Sequence, residues 1–313
     1  MSVTSEELKK RIQAEEAELR TPGRQLFSGT RYEVDRVLGE GGMGITCLAY
    51  ELSAANMRRP IVLKFVKDSL NSERLDRFLN EVQLSIQFNH PNLVPIYRLE
   101  SEVLKVELPK GHSSFRKHYE HTVYFAVMQY INGWNLRQIV DRLRSLNILL
   151  NHDITMFIMA RIARGLQYAH EYTDEHGERL GLVHRDISPE NILIDRFGRV
   201  KVADFGIAKP ARALRGDTGF DAGKILYCSP EQLDGLRLDA RSDIYNVGLL
   251  LYFLFTDNDR FGPEYTSSHP RDRIRTKMKK SPLPDLKNVD PRLAHICAVC
   301  LSEDPAERYQ SCE

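Results

Sequence analysis

With 313 residues, 42% of them hydrophobic, the chain has enough apolar material for one large core or two smaller ones, which excludes a wholly disordered polypeptide. Lys and Arg number 44 against 43 Asp and Glu, a net charge of +1, so no global basic field argues for nucleic acid or an anionic membrane as a partner. The longest apolar run, Val247 to Phe255, falls short of the roughly 18 residues a membrane-spanning helix needs, and the amino terminus lacks a basic-then-apolar leader, so a cytoplasmic chain is expected.

Residues 1–30 read as a helical extension. Thr4 and Glu7 have the spacing of a capping box, Leu8, Ile12 and Leu19 share one side of an otherwise charged helix, and Thr21-Pro22-Gly23 ends it. So thin an apolar face suits a solvated or lobe-packed extension; the other reading is a helix that docks a regulatory partner or a second copy. From Tyr32 the pattern alternates as in a strand. Gly39, Gly41 and Gly44 then interrupt two strand runs in LGEGGMGITCLAY, where the missing Cβ lets backbone N–H groups approach a phosphate.

A strand, IVLKFV, carries Lys64, and a helix, ERLDRFLNEVQLSIQF, carries Glu81 before His90-Pro91-Asn92 stops it. Between Glu100 and Val123 lies a polar insertion with Lys110, His112, Arg116, Lys117, His118 and His121. It reads as a solvated basic loop or hairpin on which a partner could dock. The rival reading, a metal held by His118 and His121, lacks a Cys or carboxylate at ligand spacing. After the strand YFAVMQYINGW, the residues Ile154, Phe157, Ile158, Ile162, Leu166 and Ala169 recur at three and four, the period of a buried helix.

The stretch from Leu182 to Gly206, LVHRDISPENILIDRFGRVKVADFG, sets an acid, Asp186, an amide five residues later, Asn191, and a second acid, Asp204, between short β-rich runs. Downstream come Ser229-Pro230-Glu231, an apolar helix RSDIYNVGLLLYFLF with Asp243 at its start, and LSEDPAERYQSCE with Arg308. Cys297 and Cys300 sit at spacing three on one apolar helix face with no second pair, a packing pattern rather than a metal or redox one.

These motifs occur in the order found in protein kinases, and over roughly residues 31 to 312 the chain resembles a serine/threonine protein kinase of the bacterial eukaryotic-like type. The resemblance implies an α+β, bilobal fold: a small N-lobe over 31–130, with a five-stranded antiparallel sheet, one main helix and an inserted loop at about 100–123, and a larger, mostly helical C-lobe over 131–313. The C-lobe stops where the family usually continues into another helix, as the cytosolic kinase domain of a longer protein would. The ligands implied are ATP and Mg²⁺, bound between the lobes. Lys64 would hold the α- and β-phosphates, Glu81 would hold Lys64, and Gly39, Gly41 and Gly44 would cover the phosphates. Adenine would lie between Leu38, Thr46 and Val62 on one side and Leu193 on the other, bonded to the backbone of Gln129 and Ile131, with Met128 as gatekeeper. Asn191 and Asp204 would ligate Mg²⁺, and Asp186 would accept or orient the proton of a protein Ser or Thr hydroxyl. Glu231 would pair with Arg308.

Thr46 and Val62 stand where kinases mostly have valine and alanine, and two further positions depart from the family more consequentially. Ser188 stands where these kinases usually have a lysine, and Lys224 where they usually have a threonine bonded to the catalytic aspartate. The exchanges look reciprocal, so Lys224 is expected to reach back to Asp186 and the γ-phosphate while Ser188 takes the hydroxyl's role; the plainer reading leaves Lys224 solvated. Arg185 could receive a phosphate on the activation segment, and Thr218, the only Ser or Thr between Gly206 and Lys224, is the expected autophosphorylation site. The same departures keep a nucleotide-binding pseudokinase scaffold as an alternative, whereas Ser229-Pro230-Glu231 and Arg308 disfavour a small-molecule kinase.

Overall fold

The computed structural model describes residues 5–28, 30–41, 44–53, 57–67, 69–107, 118–205, 224–256 and 286–313. Thr4, Lys110, His112, Arg116, Lys117, Gly206, Thr218 and the side chain of Lys224 lie outside the described residues. The chain divides into two compact units, one of Met1–Gln87 and Pro95–Tyr130, the other of Phe88–Val94 and Ile131–Glu313.

The first unit is built on an antiparallel sheet of β1 (Gln25–Ser28), β2 (Thr30–Glu40), β3 (Gly44–Leu52), β4 (Arg58–Val66), β5 (Ile96–Glu107) and β6 (His118–Gln129), in the order β1-β2-β3-β4-β6-β5. It has six strands where five were expected. The additional one is β1, whose four residues are too short to show an alternation and lie in the stretch read as extension. Of the two forms expected for the insertion, loop or hairpin, its described residues take the second: they lengthen the β5–β6 hairpin, whose pairing runs unbroken from Arg98 opposite Val127 to Glu107 opposite His118. Alternation explains why: Leu104, Val106, Val123 and Phe125 are buried on one face while the alternate residues Val103 and Lys105 are exposed on the other. His118 and His121, three apart in β6, therefore point to opposite faces, which breaks the pairing a shared metal would need.

Helix α1 (Ser5–Glu18) packs into this unit rather than standing in solvent. Ile12 and Leu19 are buried in the same core as Leu26, Tyr32, Phe65 and Phe125. Its polar side is also engaged. Buried Glu16 accepts from Ser69 Oγ at short range, contacts His121 Nε2 at 3.2 Å and pairs with Arg20 at 3.4 Å. Helix α2 (Ser72–Ser85) starts at Asn71, whose side chain accepts from the Arg74 N–H, and buries Phe78, Glu81 and Val82.

In the second unit, β7 (Gly133–Asn135) pairs with β8 (Ile192–Asp195), which pairs with β9 (Val200–Val202). Helix α3 (Leu136–Ser145) opens with a capping box between Asn135 and Gln138. Helix α4 (His152–His170) buries Thr155, Ile158, Met159, Ile162, Leu166 and Ala169. Ile154 and Phe157, read from periodicity as part of that face, are exposed, with Arg161 stacked over the Phe157 ring. After the short helix α5 (Pro230–Asp234), α6 (Ala240–Thr256) is buried continuously from Ser242 to Leu254 apart from Val247, as its largely apolar surface requires. Helix α7 (Pro291–Cys300) crosses it closely at Gly248, where a Cβ would come within 2.7 Å of the Cys300 Cβ. Cys297 and Cys300 are buried thiols in that contact, and burial pushes the Cys300 pKa up to about 12, which suits packing and not thiolate chemistry.

Candidate active site

Each unit carries its own share of the candidate residues. In the first, Thr46 of β3 lies directly across from Lys64 of β4, and Lys64 Nζ donates to Glu81 Oε1 of α2 at 3.0 Å. Both side chains are nearly buried, so the pair is shielded from the screening that makes surface ion pairs weak. Of the three glycines, Gly44 is fixed by packing: a Cβ there would meet the Phe65 carbonyl oxygen at 2.5 Å. Gly39 and Gly41 have room for a Cβ in this unit, so packing within it does not require their lack of one. Leu38 is exposed and Val62 half-buried, while Thr46 Oγ donates to the Gly39 carbonyl at 3.1 Å, which ties the loop back to β3. The Gln129 N–H is committed to the Pro95 carbonyl at 3.0 Å, so any bond it offers adenine falls to its own carbonyl.

In the second unit, the loop before β8 is held by its backbone. Asn191 Nδ2 donates to both the Asp186 carbonyl, at 2.7 Å, and Asp186 Oδ2, at 3.0 Å. Spending the amide nitrogen on Asp186 turns the Asn191 carbonyl oxygen the other way, as a metal ligand needs. Arg185 and Asp204 both adopt left-handed backbone, at φ 64° and 57°, a conformation that costs non-glycine residues and is retained where surroundings over-determine it. Those surroundings are visible around His184. Its Nε2 bonds the Ala203 carbonyl at 3.0 Å, which places the ring hydrogen there and leaves Nδ1 to accept from the Asp186 N–H at 3.2 Å. Phe205 packs on the same ring, centroids 4.4 Å apart. Leu193 of β8 is half-buried, and Ile131 begins the connection to β7.

Side chains outside the loop do the holding, some of them, such as His170 and Arg137, with no signal in the sequence. Asp243 does not cap α6, a task Asp239 performs through the Arg241 N–H; it reaches to the loop instead. Its carboxylate accepts from the backbone N–H of His184 at 2.7 Å and of Arg185 at 2.9 Å, and from His170 Nε2 at 2.8 Å. Complete burial alone would raise its pKa, but the His170 bond and the His184 N–H outweigh it and hold the carboxyl below its ordinary value. Arg137 of α3 donates to Glu190 at 3.0 Å and to the Tyr227 hydroxyl at 3.0 Å, pinning the Pro189–Asn191 turn. Arg308 and Glu231 form the expected two-bond pair, 2.7 and 3.0 Å, with Ser242 Oγ also donating to Glu231. Ser188 is buried, and its hydroxyl has no hydrogen-bond partner among the described residues.

The donor set suits a nucleotide and a hard cation: a carboxylate and an amide oxygen in one unit, an ammonium in the other. Among known proteins, a family model described as a protein kinase domain matches residues 32–313. The tyrosine-protein kinase MasK of Myxococcus xanthus is 31% identical over 90% of this chain and 41% of its own. The serine/threonine-protein kinase PrkC of Bacillus subtilis is 31% identical over 90% of this chain and 39% of its own. The chain thus spans about two fifths of the curated relatives it matches. The crystal structure of the Mycobacterium tuberculosis PknI kinase domain shares the fold, with a TM-score of 0.60 at 22% identity over 93% of this chain and 94% of that one.

Proposed function

We propose that this chain, which belongs to the protein kinase family, transfers the γ-phosphate of ATP to serine or threonine hydroxyls of proteins, itself included. The observation that carries this reading is that both characteristic pairs are formed: Lys64 with Glu81 and Asp186 with Asn191. Lys64, kept in place by Glu81, would hold the α- and β-phosphates, and Gly39, Gly41 and Gly44 would present their backbone to them. Leu38, Thr46, Val62 and Leu193 would enclose adenine, with the Gln129 carbonyl and the Ile131 backbone bonding its edge.

Asn191 and Asp204 would hold Mg²⁺, which when bound neutralises charge on the phosphate oxygens. Asp186, oriented by Asn191, takes the proton of the substrate hydroxyl as its oxygen bonds phosphorus and the bridging bond to the β-phosphate breaks, so ADP leaves with the electron pair. The left-handed backbone at Arg185 and Asp204 is the cost of presenting these carboxylates. The unpartnered Ser188 hydroxyl supports the reciprocal exchange, in which the Lys224 ammonium supplies the cation near the transferring phosphate and Ser188 bonds to it. Thr218 is the proposed autophosphorylation site and Arg185 the residue that would receive its phosphate. A cytoplasmic location and a docking role for α1 or the β5–β6 hairpin complete the proposal; among the described residues no helix is long and apolar enough to cross a membrane.

The serine/threonine class rests on the Ser188-Pro189-Glu190-Asn191 turn and on the relative PrkC, against the tyrosine designation of MasK. Phosphoamino-acid analysis after incubation with labelled ATP, Mg²⁺ and a generic protein acceptor tests it. Label on phosphoserine or phosphothreonine is expected, and label confined to phosphotyrosine would overturn the class.

A further inference from the structure

We propose that Gln232 is a positioning residue for Asp186, acting on the peptide plane that leads into that carboxylate; this rests on the reading of Asp186 as the base. The plane between Arg185 and Asp186 is gripped at both ends. Its N–H donates to His184 Nδ1 at 3.2 Å, and its carbonyl, that of Arg185, accepts from Gln232 Nε2 at 3.0 Å. Rotating this plane changes ψ of Arg185 and φ of Asp186 together, so it would swing the Asp186 side chain away from the direction Asn191 gives it.

The Gln232 carboxamide is itself fixed, which is what allows it to fix something else. Its Oε1 accepts from the Ser229 N–H at 2.8 Å and from Asn246 Nδ2 at 3.0 Å. Two donors on the oxygen side leave the nitrogen facing Arg185, so the amide orientation follows from the network. Gln232 and Asn246 are both buried, where such bonds are not exchanged for water. Asn246 lies on α6 one turn beyond Asp243, the residue that takes the Arg185 N–H at 2.9 Å. Both backbone groups of Arg185 are therefore moored to one buried helix, the N–H through Asp243 and the carbonyl through Gln232. The second mooring passes through Ser229, the last residue before α5, so the end of the 224–229 stretch and the base share one amide.

The test uses the chain as it stands, with Q232M, which keeps length and volume but has no donor, and Q232A. Turnover, KM for ATP, melting temperature and nucleotide-free hydrogen exchange across 182–191 are measured beside the wild type. For folded Q232M the expectation is a kcat about 10- to 100-fold lower with KM for ATP within about twofold, and faster exchange at the Asp186 amide. A residue that served only stability would lower the melting temperature and leave kcat of the folded protein and the Asp186 exchange as they were. Unchanged kcat or unchanged exchange in the folded variants overturns the proposal, as does failure of both variants to fold, which would assign Gln232 to stability. A wild type that transfers no phosphate removes the reading of Asp186 and this inference with it; an active wild type with an equally active Q232M removes the inference alone.

Discussion

Asp243 gathers three donors on one fully buried carboxylate, and its protonation state bears directly on the loop that carries Asp186. Its folded pKa lies below the ordinary carboxylate value of about 4, so the unfolded chain binds its proton first as pH falls. The stabilisation is complete above that unfolded value and is lost as pH drops through the lower folded one. Glu231, where burial is outweighed by Arg308 and Ser242, acts in the same direction. Melting temperature should therefore fall steeply below about pH 4, and Asp243→Asn should flatten part of that fall while lowering stability near neutrality. Thermal scans of both proteins across that range check this; an unchanged acid slope in the variant would contradict it. Lys224→Ala should depress turnover about 100-fold with nucleotide affinity nearly unchanged, measured by steady-state kinetics beside ATP binding; equal losses in both would favour a role in binding. Asp186, Asn191 and Asp204 were readable because their spacing is local. His170, Gln232 and Asn246 were not, since each acts on a residue 47 to 73 or 14 positions away that only the fold brings near.

At the level of elements, α1 shows what a sparse apolar stripe can do when it enters a core. Few residues point inward, but Ile12 and Leu19 are almost wholly buried, and Glu16 joins the helix to Ser69 and His121. Ile12→Ala should cost about 2 to 5 kcal/mol in denaturant unfolding, while Ile154→Ala, on the open side of α4, should stay within about 0.5 kcal/mol. Similar small losses at both sites would mean α1 is not part of the folded unit. Periodicity marked both helices and the inward side of α1 correctly, and erred at Ile154 and Phe157 of α4, because a stripe of apolar residues does not say which edge another element covers. The β5–β6 arms were left open between loop and hairpin for a related reason. Polar residues at alternate positions look like a loop unless the buried alternates, Leu104, Val106 and Val123, are counted with their partners across the ladder.

For the whole molecule, the candidate residues are divided: the first unit holds Lys64 and Glu81, the second Asp186, Asn191 and Asp204. The family, the α+β architecture and the order of motifs were all readable, because kinase motifs are strung along the chain in sequence and each carries its own local structure. The role proposed for Asp186 is that of the base in a phosphoryl transfer that this chain performs. The most direct test incubates wild type and Asp186→Asn with labelled ATP, Mg²⁺ and a protein acceptor. Incorporation should fall by about 10²- to 10⁴-fold in the variant, with the fold and nucleotide binding retained. Equal label in the two proteins would contradict the claim.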